Sequence, residues 1–363
     1  MPAFLEKPDM LRCTGKLKPG EYRIQGDVSS QFISGLLFAG ALIPGQTKIS
    51  VTGKLESKPY VDMTCQALET FGCRVVDLTV TGGKGLTSPG AVTVEGDWSN
   101  GAFFLGLNTL GSKLEIQNLS EASLQGDQAA AMLLPQLKEV SCTISAADIP
   151  DLVPVLAVVA ACCHGAVFTD IRRLRMKESN RVASVRDMII ALRGRAEADE
   201  NTLIIYGTGL TGGTVDCRND HRIAMSAAVG ATVCEEPVIL LGTECVEKSY
   251  PEFFEIYRRL GGNYEQYQSN HEGDLVDKIQ WAYGENGRHR HQSCGLHPHL
   301  RGHSGYPEGG GHSCGGGPHF RCGCPGTFPA DFLCGARLLQ DHQWPWAGRI
   351  PVGYPVSGKA SES

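Results

Sequence analysis

One pattern recurs four times along the chain and constrains its fold more than any other feature: a polar turn followed by a helix-like run that is apolar on every side. The turns are rich in Asp, Asn and Ser, whose side chains cap helices by accepting hydrogen bonds from free backbone N–H groups. A helix without a polar face must be buried. The turns and the runs after them are 26–30 with 32–42, 96–100 with 102–110, 148–151 with 152–163, and 219–222 with 223–233.

A second motif follows three of these runs. Each of three polar turns, at residues 57–60, 177–181 and 248–251, begins a predicted amphipathic helix that ends near a glycine. Glycine is suited to the left-handed conformation at a helix C-terminus. Short β-rich runs, among them 91–94, lie between the helices. The sequence therefore predicts a repeated α/β unit, with four copies that start near Tyr22, Ala91, Ala146 and Gly213.

Cations recur at the helix starts of these motifs. A cation in the first turn slightly destabilises a helix, because the free N–H groups and the helix dipole favour anions. Their recurrence at equivalent positions thus indicates an anion-binding cleft, in which arginine offers a fork and lysine a point charge. For any single residue, a solvated charge on a helix end stays an open alternative. The cations are Lys58, Lys177, Arg181, Arg222 and Lys248.

Two acids lie beside these cations. Asp151 directly precedes an apolar run, and its residue type alone favours an ordinary helix cap. Glu178 stands next to Lys177 and near Arg181, where it could form a surface ion pair. If both acids face an anion cleft, they become candidates for proton transfer.

Seven motifs, taken in order and with their spacing, resemble those of the 5-enolpyruvylshikimate-3-phosphate (EPSP) synthases over roughly residues 12–265. Any one of them alone would be weak, whereas the set is highly specific. They are the segments 26–32, 57–62, 95–99, 149–151, 175–181, 219–222 and 247–251.

The resemblance implies an α/β fold built from βαβαββ units, the inverse α/β-barrel-like fold of enolpyruvyl transferases, in two domains with the active site between them. Four of the usual six units are found. We expect residues 1–90 to hold the last repeat of an incomplete domain and 91–265 to form a three-repeat domain. The family's Lys-Ser…Arg and Asn-x-Gly-Thr…Arg motifs are not found, so the resemblance implies an N-terminally truncated chain whose activity would be impaired.

The resemblance also implies a reaction of the shikimate pathway of aromatic amino acid biosynthesis. The enolpyruvyl group of phosphoenolpyruvate would move to the 5-hydroxyl of shikimate 3-phosphate. No cofactor and no metal are implied, because arginine and lysine would meet the developing charge. Asp151 would be the base for the 5-hydroxyl, with Glu178 and Lys177 as the other catalytic residues and Glu178 joining the proton transfers at the methylene carbon.

The substrate contacts implied by the resemblance map onto residues of several units. Arg173 stands where some relatives have a substrate-contacting asparagine, and it is left out of the set. The contacts to shikimate 3-phosphate are Ser29, Ser30, Gln31, Ser57, Tyr60, Asp151 and Lys177, and those to phosphoenolpyruvate are Gln31, Lys177, Arg181, Arg222 and Lys248.

Two other functions stay open on the sequence: the sister enzyme that acts on UDP-N-acetylglucosamine, and a non-catalytic anion-binding fragment that needs a partner chain. The net charge of -6 argues against nucleic-acid binding. The start of the chain has no signal-peptide pattern, and the longest apolar run, 152–163, is too short to span a bilayer. We therefore expect a cytoplasmic protein, a monomer unless a separate N-terminal fragment completes it.

Residues 266–363 differ in kind from the rest of the chain. They are rich in Gly, His, Pro and Cys and have neither helical nor strand periodicity. The sequence predicts that this tail is disordered and unrelated to the family.

Overall fold

The computed structural model describes residues 3–7, 10–262, 264–267, 331–334 and 349–351, and side chains within 15–262. Predictions for other residues, among them most of 266–363, lie outside this part of the chain. The first two strands, β1 (Ala3–Lys7) and β2 (Met10–Thr14), form an antiparallel pair of their own.

The first repeat has the βαβαββ order that the resemblance implies. Its first two strands are parallel, with the first helix crossing between them, and the last two are antiparallel, giving the spatial order β3-β4-β6-β5. The side chain of Ser29 caps the first helix, as its polar turn predicts. The elements are β3 (Gly20–Gln25), α1 (Ser30–Leu42), β4 (Gly45–Thr52), α2 (Lys58–Thr70), β5 (Val75–Val76) and β6 (Thr79–Gly82).

Among the described residues, the second repeat has fewer strands than the first. The run 91–94, predicted as a strand, is not in one: Val92 and Val94 are exposed, and no strand in the described part of the chain pairs with them. Asp97 caps the buried helix by accepting from the backbone N–H groups of Ser99 and Asn100. The elements are α3 (Trp98–Thr109), β7 (Glu115–Gln117), a 3₁₀ turn (Gly126–Ala129) and α4 (Ala130–Glu139).

The third repeat copies the first. Its sheet has the order β8-β9-β11-β10, again with the first two strands parallel and the last two antiparallel. The elements are β8 (Cys142–Ser145), α5 (Val153–Cys162), β9 (Ala166–Thr169), a 3₁₀ turn (Arg172–Met176), α6 (Arg181–Ala191), β10 (Arg195–Ala198) and β11 (Leu203–Tyr206).

The fourth repeat has the same strand order, β12-β13-β15-β14, and its last strand comes from far along the chain. A further short strand, β16 (Arg349–Pro351), runs parallel to β7 in the second repeat. The elements of the fourth repeat are β12 (Gly213–Asp216), α7 (His221–Ala231), β13 (Val238–Leu241), a 3₁₀ turn (Thr243–Lys248), α8 (Phe253–Arg259), β14 (Tyr264–Tyr267) and β15 (Asp331–Cys334).

Of the tail predicted to be disordered, the structure describes only the end of β14 and the strands β15 and β16. The sheets β12-β13-β15-β14 and β16-β7 contain these segments. For the rest of 266–363 the prediction stays a prediction.

The buried apolar side chains form two clusters. The larger one, within residues 102–260, is built around α3, α5 and α7, and every residue of α5 from Val153 to Ala161 is buried, as the apolar runs predict. The smaller one, within residues 33–80, joins α1 and α2 to their sheet. The boundary predicted at residue 90 falls between them. Within the described residues no helix has both the length and the apolar character needed to cross a bilayer.

Candidate active site

Arg181 is the centre of the most densely bonded polar group among the described residues. It is the first residue of α6, which Asn180 caps, and its side chain is fully buried. All five N–H donors of the guanidinium are engaged. Nε and Nη2 donate to Asp220, at 3.0 and 3.3 Å, Nη2 also donates to Glu178 at 2.6 Å, and Nη1 donates to Asp151 at 2.6 Å and to the backbone carbonyl of Pro150 at 3.4 Å.

This arrangement bears on the prediction that Arg181 binds phosphoenolpyruvate. Three carboxylates from three parts of the chain already occupy its donors, so Arg181 positions acids in this structure. The carboxylates raise the pKa of the guanidinium well above its usual range despite the opposing effect of burial, and Arg181 stays charged at any ordinary pH.

Asp151 is the second centre of the group. It does not cap α5, whose N-cap is Leu152 and has no side-chain bond. Instead Asp151 lies 2.6 Å from Arg181 Nη1, 3.4 Å from Lys177 Nζ and 3.5 Å from Arg222 Nη2. Burial alone would raise the pKa of Asp151, but Arg222, Lys177 and Arg181 together hold it well below its usual range.

Two further acids complete the surroundings of Arg181. Glu178 is half-exposed, so one side of this carboxylate is open to solvent. Asp220 is fully buried; besides Arg181 it accepts from Ser179 Oγ at 3.0 Å and caps α7 through the backbone N–H of Arg222. Sequence analysis missed Asp220 as part of the site, although its place at the start of α7 was a signal.

The cations at the start of α7 are less fully paired. Arg222 is nearly buried, and its only recorded ion pair among the described residues is the long one to Asp151. Its Nη1 is buried and has no hydrogen-bond partner in the described part of the chain. Lys248 reaches the same helix start from the next 3₁₀ turn, where its Nζ donates to Asn219 Oδ1 at 2.7 Å. Arg222 and Lys177 thus border Asp151 directly, whereas Lys248 contacts Asn219, just before the start of α7.

The first repeat contributes Ser57 and Tyr60 from the start of α2. Ser57 adopts a left-handed conformation, with φ 53°. Its hydroxyl accepts a hydrogen bond from Arg173 Nη1 at 2.7 Å, and its backbone N–H donates to Ala147 of the third repeat. Tyr60 donates to Asp127 of the second repeat at 3.4 Å. The helix start therefore docks onto both neighbouring repeats.

Ser29, Ser30 and Gln31 lie together at the start of α1. Ser29 Oγ accepts from the backbone N–H of Gln31 at 3.3 Å, Ser30 is buried and Gln31 is exposed. No recorded contact among the described residues joins them to Asp151 or its cations. The first repeat is nonetheless tied to the third one nearby, through an ion pair of 3.7 Å between Arg172 and Asp27.

Asp127 is the residue that sequence analysis missed entirely. It stands in the 3₁₀ turn before α4, the place in the second repeat that corresponds to the cationic helix starts of the others. It is buried and accepts hydrogen bonds from Tyr60 and from Ser99 Oγ. Burial and the nearby Asp151 raise the pKa of Asp127 to about 6, although Arg222 opposes the rise.

The arrangement as a whole offers acid–base groups beside incompletely paired cations, which suits proton transfer on an anionic ligand. Among the described residues no group of His, Cys, Asp and Glu side chains has the arrangement of a metal site.

Comparison with known proteins gives a consistent family. Residues 10–257 match the family described as EPSP synthase (3-phosphoshikimate 1-carboxyvinyltransferase). A 3-phosphoshikimate 1-carboxyvinyltransferase of Clostridium kluyveri is 38% identical over 279 residues, covering 71% of this chain and 66% of the relative. One of Clostridioides difficile is 36% identical over 277 residues, covering 70% and 63%.

A solved structure shares the fold. An EPSP synthase of Acinetobacter baumannii superposes with a TM-score of 0.58 at 23% identity, covering 71% of this chain and 67% of that one. The chain spans just under two thirds of the length of the curated relatives it matches.

Proposed function

The chain belongs to the EPSP synthase family, and we propose that it transfers the enolpyruvyl group of phosphoenolpyruvate to the 5-hydroxyl of shikimate 3-phosphate. The observation that carries the proposal is Asp151, a nearly buried carboxylate bordered by Arg181, Lys177 and Arg222. Both substrates are polyanions, and the cations around Asp151 supply the charge that such ligands need.

In the proposed reaction Asp151 accepts the proton of the 5-hydroxyl. A carboxylate whose pKa lies well below its usual range is a weak base while its neighbouring cations pair with it. Lys177 and Arg222, two of the cations that lower this pKa, are also proposed to bind the substrate anions. When the anions pair with them, their effect on Asp151 weakens and its basicity rises. Substrate binding thereby activates the base.

Glu178 is proposed to serve the methylene carbon of phosphoenolpyruvate. It gives a proton to this carbon while the 5-oxygen bonds to the neighbouring carbon. A proton then leaves the resulting methyl group as phosphate departs, which restores the double bond. Because Glu178 is half-exposed, it can exchange its proton with solvent, and Arg181 Nη2 holds it in place at 2.6 Å.

The remaining substrate contacts are proposed by position. The proposed contacts to shikimate 3-phosphate are Ser29, Ser30, Gln31, Ser57 and Tyr60 of the first repeat, together with Asp151 and Lys177. The proposed contacts to phosphoenolpyruvate are Gln31, Lys177, Arg222 and Lys248. Arg181 would join them if its Nη2 is released from Glu178. The names of relatives at 36–38% identity favour the shikimate acceptor over UDP-N-acetylglucosamine. A cytoplasmic location is part of the same proposal.

One surface supports a partner for this chain, a separate N-terminal portion with further repeats. The equivalent helices α3, α5 and α7 pack against one another in the larger core. Helix α1 starts with the same kind of motif, yet Phe32, Phe38 and Leu42 are 55%, 46% and 66% exposed. An apolar helix face of this kind is typical of an interface. Without the portion that covers it, the chain would act as a weak anion binder.

The test measures phosphate release from phosphoenolpyruvate with shikimate 3-phosphate or UDP-N-acetylglucosamine as acceptor. The chain is assayed alone and with a separately expressed N-terminal portion of the Clostridium kluyveri relative. We expect turnover with shikimate 3-phosphate only, increased by the added portion. Turnover with the UDP sugar, or none under either condition, would overturn the proposed activity.

Helix α1 gives this test a matched control. Phe38→Glu should abolish the stimulation by the N-terminal portion and leave the folding of the chain unchanged, because this side chain is exposed. Met132→Glu places the same charge on α4 at a side chain that is 66% exposed, and it should keep the stimulation. Equal stimulation of the two variants would show that the face of α1 is not the interface.

A further inference from the structure

Asp127 lies where all four repeats meet. Tyr60 of the first repeat and Ser99 of the second donate hydrogen bonds to its Oδ2. Asp151 of the third repeat and Arg222 of the fourth lie within electrostatic range. Such a position makes Asp127 a neighbour of both the proposed base and a proposed substrate cation, although no step of the proposed reaction uses it.

Two polar atoms at this junction are buried without a partner among the described residues. One is Oδ1 of Asp127, a residue that is 1% exposed, and the other is Nη1 of Arg222, which is 8% exposed. Asp127 and Arg222 do not form an ion pair with each other. Arg222 instead makes a long contact of 3.5 Å with Asp151. A buried polar atom without a partner is costly, so each calls for an explanation. A ligand oxygen within hydrogen-bonding reach of both atoms would satisfy both.

The protonation state of Asp127 determines whether its Oδ1 can donate a hydrogen bond or only accept one. Four titratable groups face it: Tyr60 on α2, and Asp97 at the start of α3, Asp151 before α5 and Arg222 on α7. Tyr60 keeps its proton, because burial and Asp127 raise its pKa above the usual range. Asp151 stays ionised, since its pKa is lowered. An anion that enters beside Arg222 adds negative charge and so favours the protonated form of Asp127.

We propose that Asp127 is a further ligand-binding residue of this site: as a neutral carboxylic acid, it donates a hydrogen bond from Oδ1 to the anionic phosphoenolpyruvate oxygen that Arg222 holds. The inference rests on the proposed function and adds a residue to it. Binding takes one proton from solvent onto Asp127, and no covalent bond of the ligand changes. A buried carboxyl group kept neutral in order to donate is a known solution for binding negative charge.

Asp127→Asn tests the proposal against a purely structural role. The amide keeps an acceptor for Tyr60 and Ser99 and presents a permanent donor in place of Oδ1. At pH 8, about two pH units above the pKa of Asp127, protonation of the wild-type residue costs up to about 100-fold in affinity. We therefore expect Asp127→Asn to bind phosphoenolpyruvate at least about 10-fold more tightly than wild type at pH 8 and within about 3-fold at pH 5.5.

Titration calorimetry of the full chain with phosphoenolpyruvate measures both affinities, and two buffers of different ionisation enthalpy count the protons taken up. Wild type should take up about one proton more per ligand than Asp127→Asn at pH 8. Asp127→Ala has no donor and should bind more weakly than Asp127→Asn at both pH values. Asp187→Asn, a control at a half-buried surface ion pair, should match wild type.

Weaker binding by Asp127→Asn at both pH values would show a structural role and overturn the inference. A ratio of affinities that does not change with pH, or equal proton uptake, would overturn it as well. These outcomes leave the proposed function standing. If the wild-type chain binds no phosphoenolpyruvate, alone or with the N-terminal portion, the proposed function itself fails and the inference fails with it.

Discussion

Replacing Arg181 by glutamine removes a cation that three carboxylates share. The side chain of Asp220 is completely buried and that of Asp151 is 19% exposed. Truncating one partner of a buried ion pair leaves an uncompensated charge, which typically costs about 3–5 kcal/mol. Two of the acids keep other partners: Lys177 and Arg222 for Asp151, and Ser179 for Asp220. We therefore expect Arg181→Gln to lower the free energy of unfolding by about 3 kcal/mol, the lower end of this range.

Urea denaturation at pH 7, followed by circular dichroism, measures this loss. Arg186→Gln is the matched control, since Arg186 lies on the same helix, is 41% exposed and pairs with Asp187; an exposed pair is worth about 0–1 kcal/mol. Adding Asp220→Asn to Arg181→Gln should recover part of the loss, because the cost comes from the unpaired charge. If Arg181→Gln stays within about 1 kcal/mol of wild type, or if the two substitutions are additive, the reasoning is wrong.

Three further outcomes follow from the same geometry. Asp151→Asn should lower kcat by about 10²–10⁴-fold in steady-state assays, with a smaller effect on substrate affinity, since it removes a positioned base; near-normal turnover would exclude that role. Folding raises the pKa of Asp127 from a reference value of 3.8 to about 6, so its stabilising contribution is complete below about pH 3.8 and is lost as pH rises through about 6. Urea unfolding should thus show Asp127→Asn more stable than wild type by up to about 3 kcal/mol at pH 8 and equal to it near pH 4. Arg173→Met should lower the free energy of unfolding by about 1–3 kcal/mol, because it leaves the buried Ser57 hydroxyl without its donor and removes the cation that pairs with Glu56 at 3.7 Å; an unchanged urea midpoint would contradict this.

Much of the fold follows from local patterns. Ser29, Asp97 and Asp220 each cap the helix that their polar turn predicts. The apolar runs after those turns became buried helices in the second, third and fourth repeats, because a helix without a polar face has no alternative. Helix α1 differs: it is just as apolar, yet part of it is exposed. What covers a helix depends on neighbours that its own residues do not specify.

The strands were harder to predict. The alternating run at 91–94 has the composition of a strand, but it has no partner in the described part of the chain. The opposite happened at residues 331–334, which pair between β13 and β14 although the surrounding composition suggests no element. Strand pairing depends on which edge a distant segment reaches, and local propensity carries little of that information.

In the candidate site, too, some features could be predicted from local sequence patterns and others could not. The cationic helix starts were visible, because the motif recurs. The tripartite bonding of Arg181 was not, since Asp151 and Asp220 lie 30 and 39 residues away in sequence. Asp127 was not predicted as a site residue, because its turn carries no cation and its partner Tyr60 is 67 residues away in sequence. Contacts between repeats arise from the tertiary arrangement, so only the structure reveals them.

The most direct measurement is mass spectrometry of the product formed from phosphoenolpyruvate and shikimate 3-phosphate in D₂O, with the N-terminal portion present. If Asp151 and Glu178 carry the proton transfers, wild type should give the 5-enolpyruvyl ether with deuterium in its methylene group. Asp151→Asn should give far less product. No ether from the wild-type chain would contradict the proposed transfer, and an ether free of deuterium would contradict the role given to Glu178.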